Sequence, residues 1–182
     1  MTTRALLTPD ATEYAPYYGR YVSLVPKNDI VDLLEAQAVH AKDILSGISE
    51  RDGNMRYAPG KWTIKQLFGH VIDTERIFAY RALRISRGDQ TPIEGFEQDP
   101  YVQNGPFEAC TLAGLTEEYT AVRRSTLLLF RHLKDEHWSR RGTASGNEVS
   151  VRALAYIIAG HELHHWNVLR EKYLTALAQH GG

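Results

Sequence analysis

The segment Ala159-Gly160-His161-Glu162-Leu163-His164-His165-Trp166 sets three histidines into an apolar run whose spacing admits one secondary structure. Leu154, Ile158, His161, His165 and Val168 recur at intervals of 4, 3, 4 and 3, the core-facing seam of a bundle helix. Residues four apart on a helix stack on one face, so His161 and His165 aim their imidazoles at a single point inside the fold. Burying polar rings without partners costs about 1–3 kcal/mol each. A lone core histidine avoids that cost with a hydrogen bond, and a spaced pair with a shared divalent cation, but two ligands do not make a protein site, so a third is expected from another element.

The rest of the chain reads as helices able to surround that seam. From Asn28 or Asp29, either a good N-cap, Ile30, Leu33, Leu34, Ala38, Ala41, Leu45 and Ile48 predict a first helix ending before Gly53. Thr63-Ile64-Lys65-Gln66 matches a capping box and opens a second helix that runs to Gly88. A third extends from about Thr111 to Leu133, and a fourth, capped by Ser150, to about Leu177. With 43% apolar and 24% charged residues the chain can build a core. No strand pattern, repeat or linker is evident, so the expectation is an all-α four-helix bundle in one domain, residues 1–182, with its core at about 28–177. Tyr14 to Pro26, aromatic and broken by Pro16 and Gly19, reads as an extended strap packed on that domain. The long segment from Gly88 to about Thr111 holds three prolines and is of a length that often covers a site.

Leu67, His70, Thr74 and Ile77 on the second helix are spaced 3, 4 and 3, which turns His70 inward as the candidate third ligand. Asp73 and Thr74, three and four residues on, are the candidate acid/base or supporting groups, with a solvated or intrahelical role as the simpler reading. His164 lies about 100° round the helix from His165 and belongs to the rim. His40, His132, His137 and His180 show no ligand spacing. Trp62, Phe96 and Tyr101 could line a mouth, although isolated aromatics are more often just core, and Arg140-Arg141 could meet an anionic thiol cofactor, although paired arginines are usually solvated. His161-Glu162-Leu163-His164-His165 also satisfies H-E-x-x-H, the zinc peptidase signature with glutamate as base. Only 17 residues follow His165, and Val168 and Glu171 replace the extended motif's glycine and histidine, so that reading is the weakest.

Charge and composition narrow the partners. A formal net charge of −1 and a pI near 6.7 supply no electrostatic reason for nucleic acid or an anionic membrane. No apolar run approaches the roughly 20 residues that span a bilayer, and Met1-Thr2-Thr3-Arg4 leads into no apolar signal core, which makes a cytoplasmic protein the default. Cys110 is the single cysteine, so a disulfide framework and multi-cysteine zinc sites are excluded. Its thiol, near a helix start, is more simply a buried inert cysteine than a reactive one.

Lys61-Trp62-Thr63-Ile64-Lys65-Gln66-Leu67 followed by Gly69-His70, then Thr74-Glu75-Arg76, and the late Gly160-His161-x3-His165 resemble the DinB superfamily, YfiT-like members included. The resemblance runs from Val22 to about Tyr173 and lies in the order and spacing of these motifs. It implies a four-helix bundle, often a homodimer, with a divalent metal on three histidines at His70, His161 and His165. It further implies a metal-dependent enzyme, of thiol S-transferase or isomerase type with a low-molecular-weight thiol as co-substrate, or else a non-catalytic stress-response module. Three histidine ligands leave a coordination position open, the mark of a catalytic metal that activates a thiol or water. Zinc or nickel suits the set, with iron or manganese also compatible with neutral imidazoles.

Overall fold

A computed structural model of the chain describes residues 8–180; the reading of Met1 to Arg4 lies outside the described residues. In chain order it contains α1 (Gly19–Val22), α2 (Ile30–Ser46), α3 (Ile64–Ser86), α4 (Gln98–Asn104), α5 (Leu112–Arg131), α6 (Asp135–Trp138), β1 (Arg141–Ala144), β2 (Asn147–Ser150) and α7 (Val151–Val168). A π-helical stretch, Leu169–Leu174, then carries α7 into α8 (Thr175–His180). The four long helices α2, α3, α5 and α7 form a bundle, with α3 packed on α7 and α5 against both α2 and α3.

Each long helix starts where its first orphan amides find a side-chain acceptor. Asp29 accepts from Val31 and Asp32, Thr111 from Gly114, and Ser150 from Ala153. Thr63 accepts from the Gln66 amide while Gln66 reaches back to the Thr63 amide, so the capping box is present at both ends. The ends are shorter than periodicity suggests. The first bundle helix stops at Ser46, because the chain turns at Gly47 and Ser49 accepts from the Asp52 amide in a new turn. Ile48 stays buried although it has left the helix. The last bundle helix is helical as far as expected, but through widened π turns, within which the Tyr173 hydroxyl donates to the Trp62 carbonyl at 2.7 Å.

Two expectations are corrected. The strap packs on the domain as expected, against α7, yet it is not extended: Pro16–Tyr18 is a 3-10 turn that runs directly into α1. Pro16, with its φ already restricted to helical values, opens that turn. The chain also contains strands. β1 and β2 pair antiparallel, Arg141 opposite Ser150 and Ala144 opposite Asn147, across a two-residue turn of Ser145 (φ 52°) and Gly146 (φ 73°). Positive φ at both central residues matches the sense of turn that suits the twist of paired strands. Four-residue strands are too short to display an alternation. No helix among the described residues is long and apolar enough to cross a membrane.

The apolar core is divided in two along every bundle helix. One cluster holds Ile30 and Leu34 of α2, Phe78 to Ile85 of α3, Leu127 and Phe130 of α5, and α7 as far as Ala159. The other holds Ala41 and Leu45, Leu67 to Ile72, Leu115 and Tyr119, and Trp166 onward. Between them lies a buried polar layer: Gln37, His70, Thr74, Glu75, Arg123, His161, Glu162 and His165.

α1 is pressed against α7 at Gly160, where an added Cβ would lie 2.1 Å from the Tyr21 carbonyl oxygen. Backbone cannot swing aside as a side chain can, so Gly160→Ala is expected to cost about 1–3 kcal/mol by displacing α1. Urea denaturation reads this directly; unchanged stability would mean that α1 does not sit on α7 in solution.

Candidate metal centre

His70 comes from α3, and His161 and His165 from successive turns of α7. Their rings converge so that His161 Nε2 lies 3.0 Å from His70 Nε2 and 3.0 Å from His165 Nε2. The three candidate ligand atoms all fall within 4.8 Å of one another, and all three residues are buried. The second histidine of this set cannot satisfy both neighbours. A ring nitrogen carries either one proton or one lone pair, so His161 Nε2 pairs with one partner only. His165 Nδ1 is buried with no hydrogen-bond partner among the described residues. A cation at the convergence point would take all three Nε2 lone pairs together, and the donor set therefore fits a divalent metal.

Electrostatics keep the rings in ligand form. Burial pushes His70 down to about 4, with the neighbouring His164 adding to the effect. Burial likewise holds His161 and His165 well below the ordinary imidazole range, reinforced by the other rings of the cluster. Neutral imidazole is the ligating species. Neighbours fix ring orientation: Thr74 Oγ1 lies 3.4 Å from His70 Nδ1, the Trp62 ring centre 4.9 Å from that of His70, and Tyr21 stands edge-on to His161 at 5.3 Å.

Glu162 faces elsewhere. Its carboxylate accepts from the Tyr119 hydroxyl at 2.9 Å, from Trp166 Nε1 at 2.8 Å and from the Arg123 guanidinium. Arg123 also donates twice to Glu75 at 2.8 Å and once to the Leu34 carbonyl at 2.8 Å. The glutamate of the H-E-x-x-H signature is thus consumed by a structural network and makes no hydrogen bond to the histidines among the described residues. That removes the peptidase reading's general base.

Two cavities reach the cluster. One, of about 390 Å³, has His70, Thr74 and His161 in its wall beneath Tyr21, Phe78 and Phe96. The other, of about 370 Å³, reaches His165 past Trp62 and Tyr173. Gln98 and Asp99 at the start of α4 border both. The long segment after Gly88 therefore does cover the site. Among the other residues singled out from the sequence, Thr74 and Phe96 line the first cavity and Trp62 the second. Asp73 lines neither; it faces Arg76 at 3.4 Å, and burial raises its carboxyl above the usual range against the pull of that arginine. Tyr101 is exposed and packs on Phe96 at 5.2 Å. Cys110 is half-buried with its thiol on the Pro106 carbonyl at 3.5 Å. Arg140 donates to the Ser86 carbonyl, and Arg141 to the Thr12 carbonyl and Glu148, and neither arginine lines the two cavities that reach the cluster. His164 is half-buried against Tyr21, His40 and His132 are exposed, and His137 accepts from the Lys134 amide. Sequence reasoning missed Tyr21, Gln98, Asp99 and the Arg123 network. The available signal for the network was a charged residue, Glu75 or Arg123, inside an apolar helical pattern.

A model of the DinB superfamily matches residues 33–169. No curated protein matches the chain. Among solved structures, the chain is similar to YfiT from Bacillus subtilis, described as a probable metal-dependent hydrolase with an unusual four-helix bundle topology. The two are 13% identical with a TM-score of 0.72, over 96% of this chain and 94% of that one. It is also similar to the DinB-like protein YjoA from Bacillus subtilis, 21% identical with a TM-score of 0.58, over 85% of this chain and 94% of that one. Identities this low carry the fold, a YfiT-like four-helix bundle, and not the reaction.

Removing Arg123 leaves Glu75 and Glu162 buried together without a cation, so Arg123→Ala is expected to cost about 3–5 kcal/mol in urea denaturation. A loss no larger than that of an exposed arginine would contradict the network. For metal-free protein, the depressed histidines set a pH dependence. The unfolded chain binds protons from the ordinary value of 6.5 downward, while folded His70 binds only near 4. Stability is therefore flat above about pH 6.5 and falls as the pH drops, by up to about 1.4 kcal/mol per pH unit for each histidine involved. Chelator-treated protein denatured at about pH 7 and about pH 5 should show this loss, reduced in His70→Leu; equal stability at both would refute neutral buried rings.

Proposed function

The chain belongs to the DinB superfamily, and from that premise we propose that it is a metal-dependent enzyme whose ligands are His70, His161 and His165. The observation that carries the proposal is the convergence of three buried Nε2 atoms on one point that opens into a cavity. Zinc or nickel is the first choice for three neutral imidazoles, then iron or manganese. A divalent ion bound there would supply Lewis acidity and lower the proton affinity of a water or thiol brought to it.

The chain's own residues would hold this centre and admit the reactants. His161 and His165 are fixed one turn apart on a buried helix, and His70 is oriented by Thr74 and Trp62. Thr74, which lines the cavity where Asp73 does not, is the candidate polar group beside a bound substrate. Two cavities that reach different members of the cluster support a two-reactant chemistry, in which a low-molecular-weight thiol is transferred to an electrophile. Hydrolysis is the second reading, favoured by the description of the similar YfiT as a probable metal-dependent hydrolase.

Metal analysis tests the centre first. Purified protein should carry about one divalent ion per chain, and His70→Ala, His161→Ala and His165→Ala should each lose most of it, with affinity down about 100-fold or more. Full retention in all three would sink the ligand set. Thiol conjugation to a chloro-dinitrobenzene electrophile, against hydrolysis of a simple ester, then separates the two chemistries. Metal retained without either activity would leave a non-catalytic metal-binding module.

A further inference from the structure

Two arginines are wholly buried among the described residues, and the fold treats them differently. Arg123 meets two carboxylates and a carbonyl. Arg81, 1% exposed, forms no ion pair among the described residues. Its Nη2 donates to the Glu94 carbonyl at 3.1 Å and to Ser145 Oγ at 2.9 Å, and its Nε is buried with no acceptor among the described residues. Phe78 and Phe96 flank the guanidinium at 5.0 and 5.9 Å. Ring faces compensate part of a buried charge, and the remainder calls for an anion.

Ser145, the side chain that Arg81 holds, is strained. Its φ of 52° is the one positive value at a non-glycine residue among those described, and it occupies a turn position that favours glycine, asparagine or aspartate. The turn is clamped in place, for the Ser145 amide donates to the Ile93 carbonyl at 2.9 Å and the Ile93 amide to the Thr143 carbonyl at 2.9 Å. Ser145 is exposed, so with its oxygen accepting from Arg81 its hydroxyl proton faces solvent and is open to a ligand. The same side chain forms part of the wall of the cavity that holds His70, Thr74 and His161. Glu97 and Asp99 also border that cavity, but both are exposed and solvated. Along α3, His70, Thr74, Phe78 and Arg81 follow one another at helical spacing, so one face of the helix runs from the histidines to the unpaired guanidinium.

We infer that Ser145, backed by the charge of Arg81, anchors an anionic oxygen group, such as a carboxylate, on a substrate with an aromatic or apolar body. Phe78 and Phe96 flank that body, and its other end reaches the three histidines. The destination of that other end rests on the proposed metal centre; the anchor itself does not require the metal.

The test uses benzoate as probe and benzamide as its uncharged counterpart, titrated calorimetrically into chelator-treated and zinc-loaded protein. Benzoate is expected to bind both forms, about tenfold or more tighter than benzamide. Ser145→Gly removes the hydroxyl and relaxes the turn, so it should weaken benzoate about tenfold while raising the thermal midpoint. Arg81→Met, an apolar side chain of similar length, should abolish the preference for benzoate over benzamide while the protein stays folded. Unchanged benzoate affinity in both variants, or equal binding of benzoate and benzamide by the parent protein, would overturn the anchor. Benzoate binding confined to zinc-loaded protein would also overturn it, because the carboxylate would then be a metal ligand. Charge-selective binding in a protein that takes up no zinc would support the anchor and overturn only the metal centre.

Discussion

The guanidinium of Arg123 holds the middle of the bundle together. It reaches from α5 to Glu75 on α3, Glu162 on α7 and the Leu34 carbonyl on α2, so one side chain ties all four long helices at the same level. Burial raises the stakes of each of these bonds. Strong in a medium of low dielectric, they are costly to leave unmade, and together they admit one rotation and one axial position for each helix. Apolar packing alone would tolerate slippage between the two core clusters; the polar layer between them does not.

That layer also prepares the histidines. Glu162 lies between His161 and His165 in sequence, and its fixation by Arg123, Tyr119 and Trp166 sets the rotation of α7. Glu75, five residues after His70, does the same for α3. Two carboxylates on one guanidinium leave a formal charge of −1 beside three neutral rings, an environment that favours a cation at the point where the rings meet. The ligand cluster and the structural network are therefore neighbouring halves of one buried layer. The residue with which an H-E-x-x-H motif would run its chemistry serves here to orient the helix.

Much of this was legible in the chain. Caps at Asp29, Thr63, Thr111 and Ser150 act within three residues of themselves, and the seam through Leu154, His161 and His165 follows from helical period alone. Other features depended on distant partners. Ser145 and Gly146 form a tight turn, but β1 and β2 are too short to announce themselves and are stabilised by Ile93, some fifty residues earlier. The strap's turns are held by α7 through Gly160, a contact invisible in either segment alone. The Arg81 and Ser145 pairing likewise joins residues that no spacing rule connects.

The sequence by itself determined which segments form the four long helices, where those begin, and that His70, His161 and His165 face inward, because periodicity and capping are local physics. Tertiary structure decided that the three Nε2 atoms meet, that Glu162 turns to Arg123, and which of Asp73 and Thr74 lines the cavity. Those outcomes depend on the axial offset and rotation of one helix against another. A buried polar network sets both, and the partners of Arg123 at its centre lie 39 to 89 residues from it along the chain.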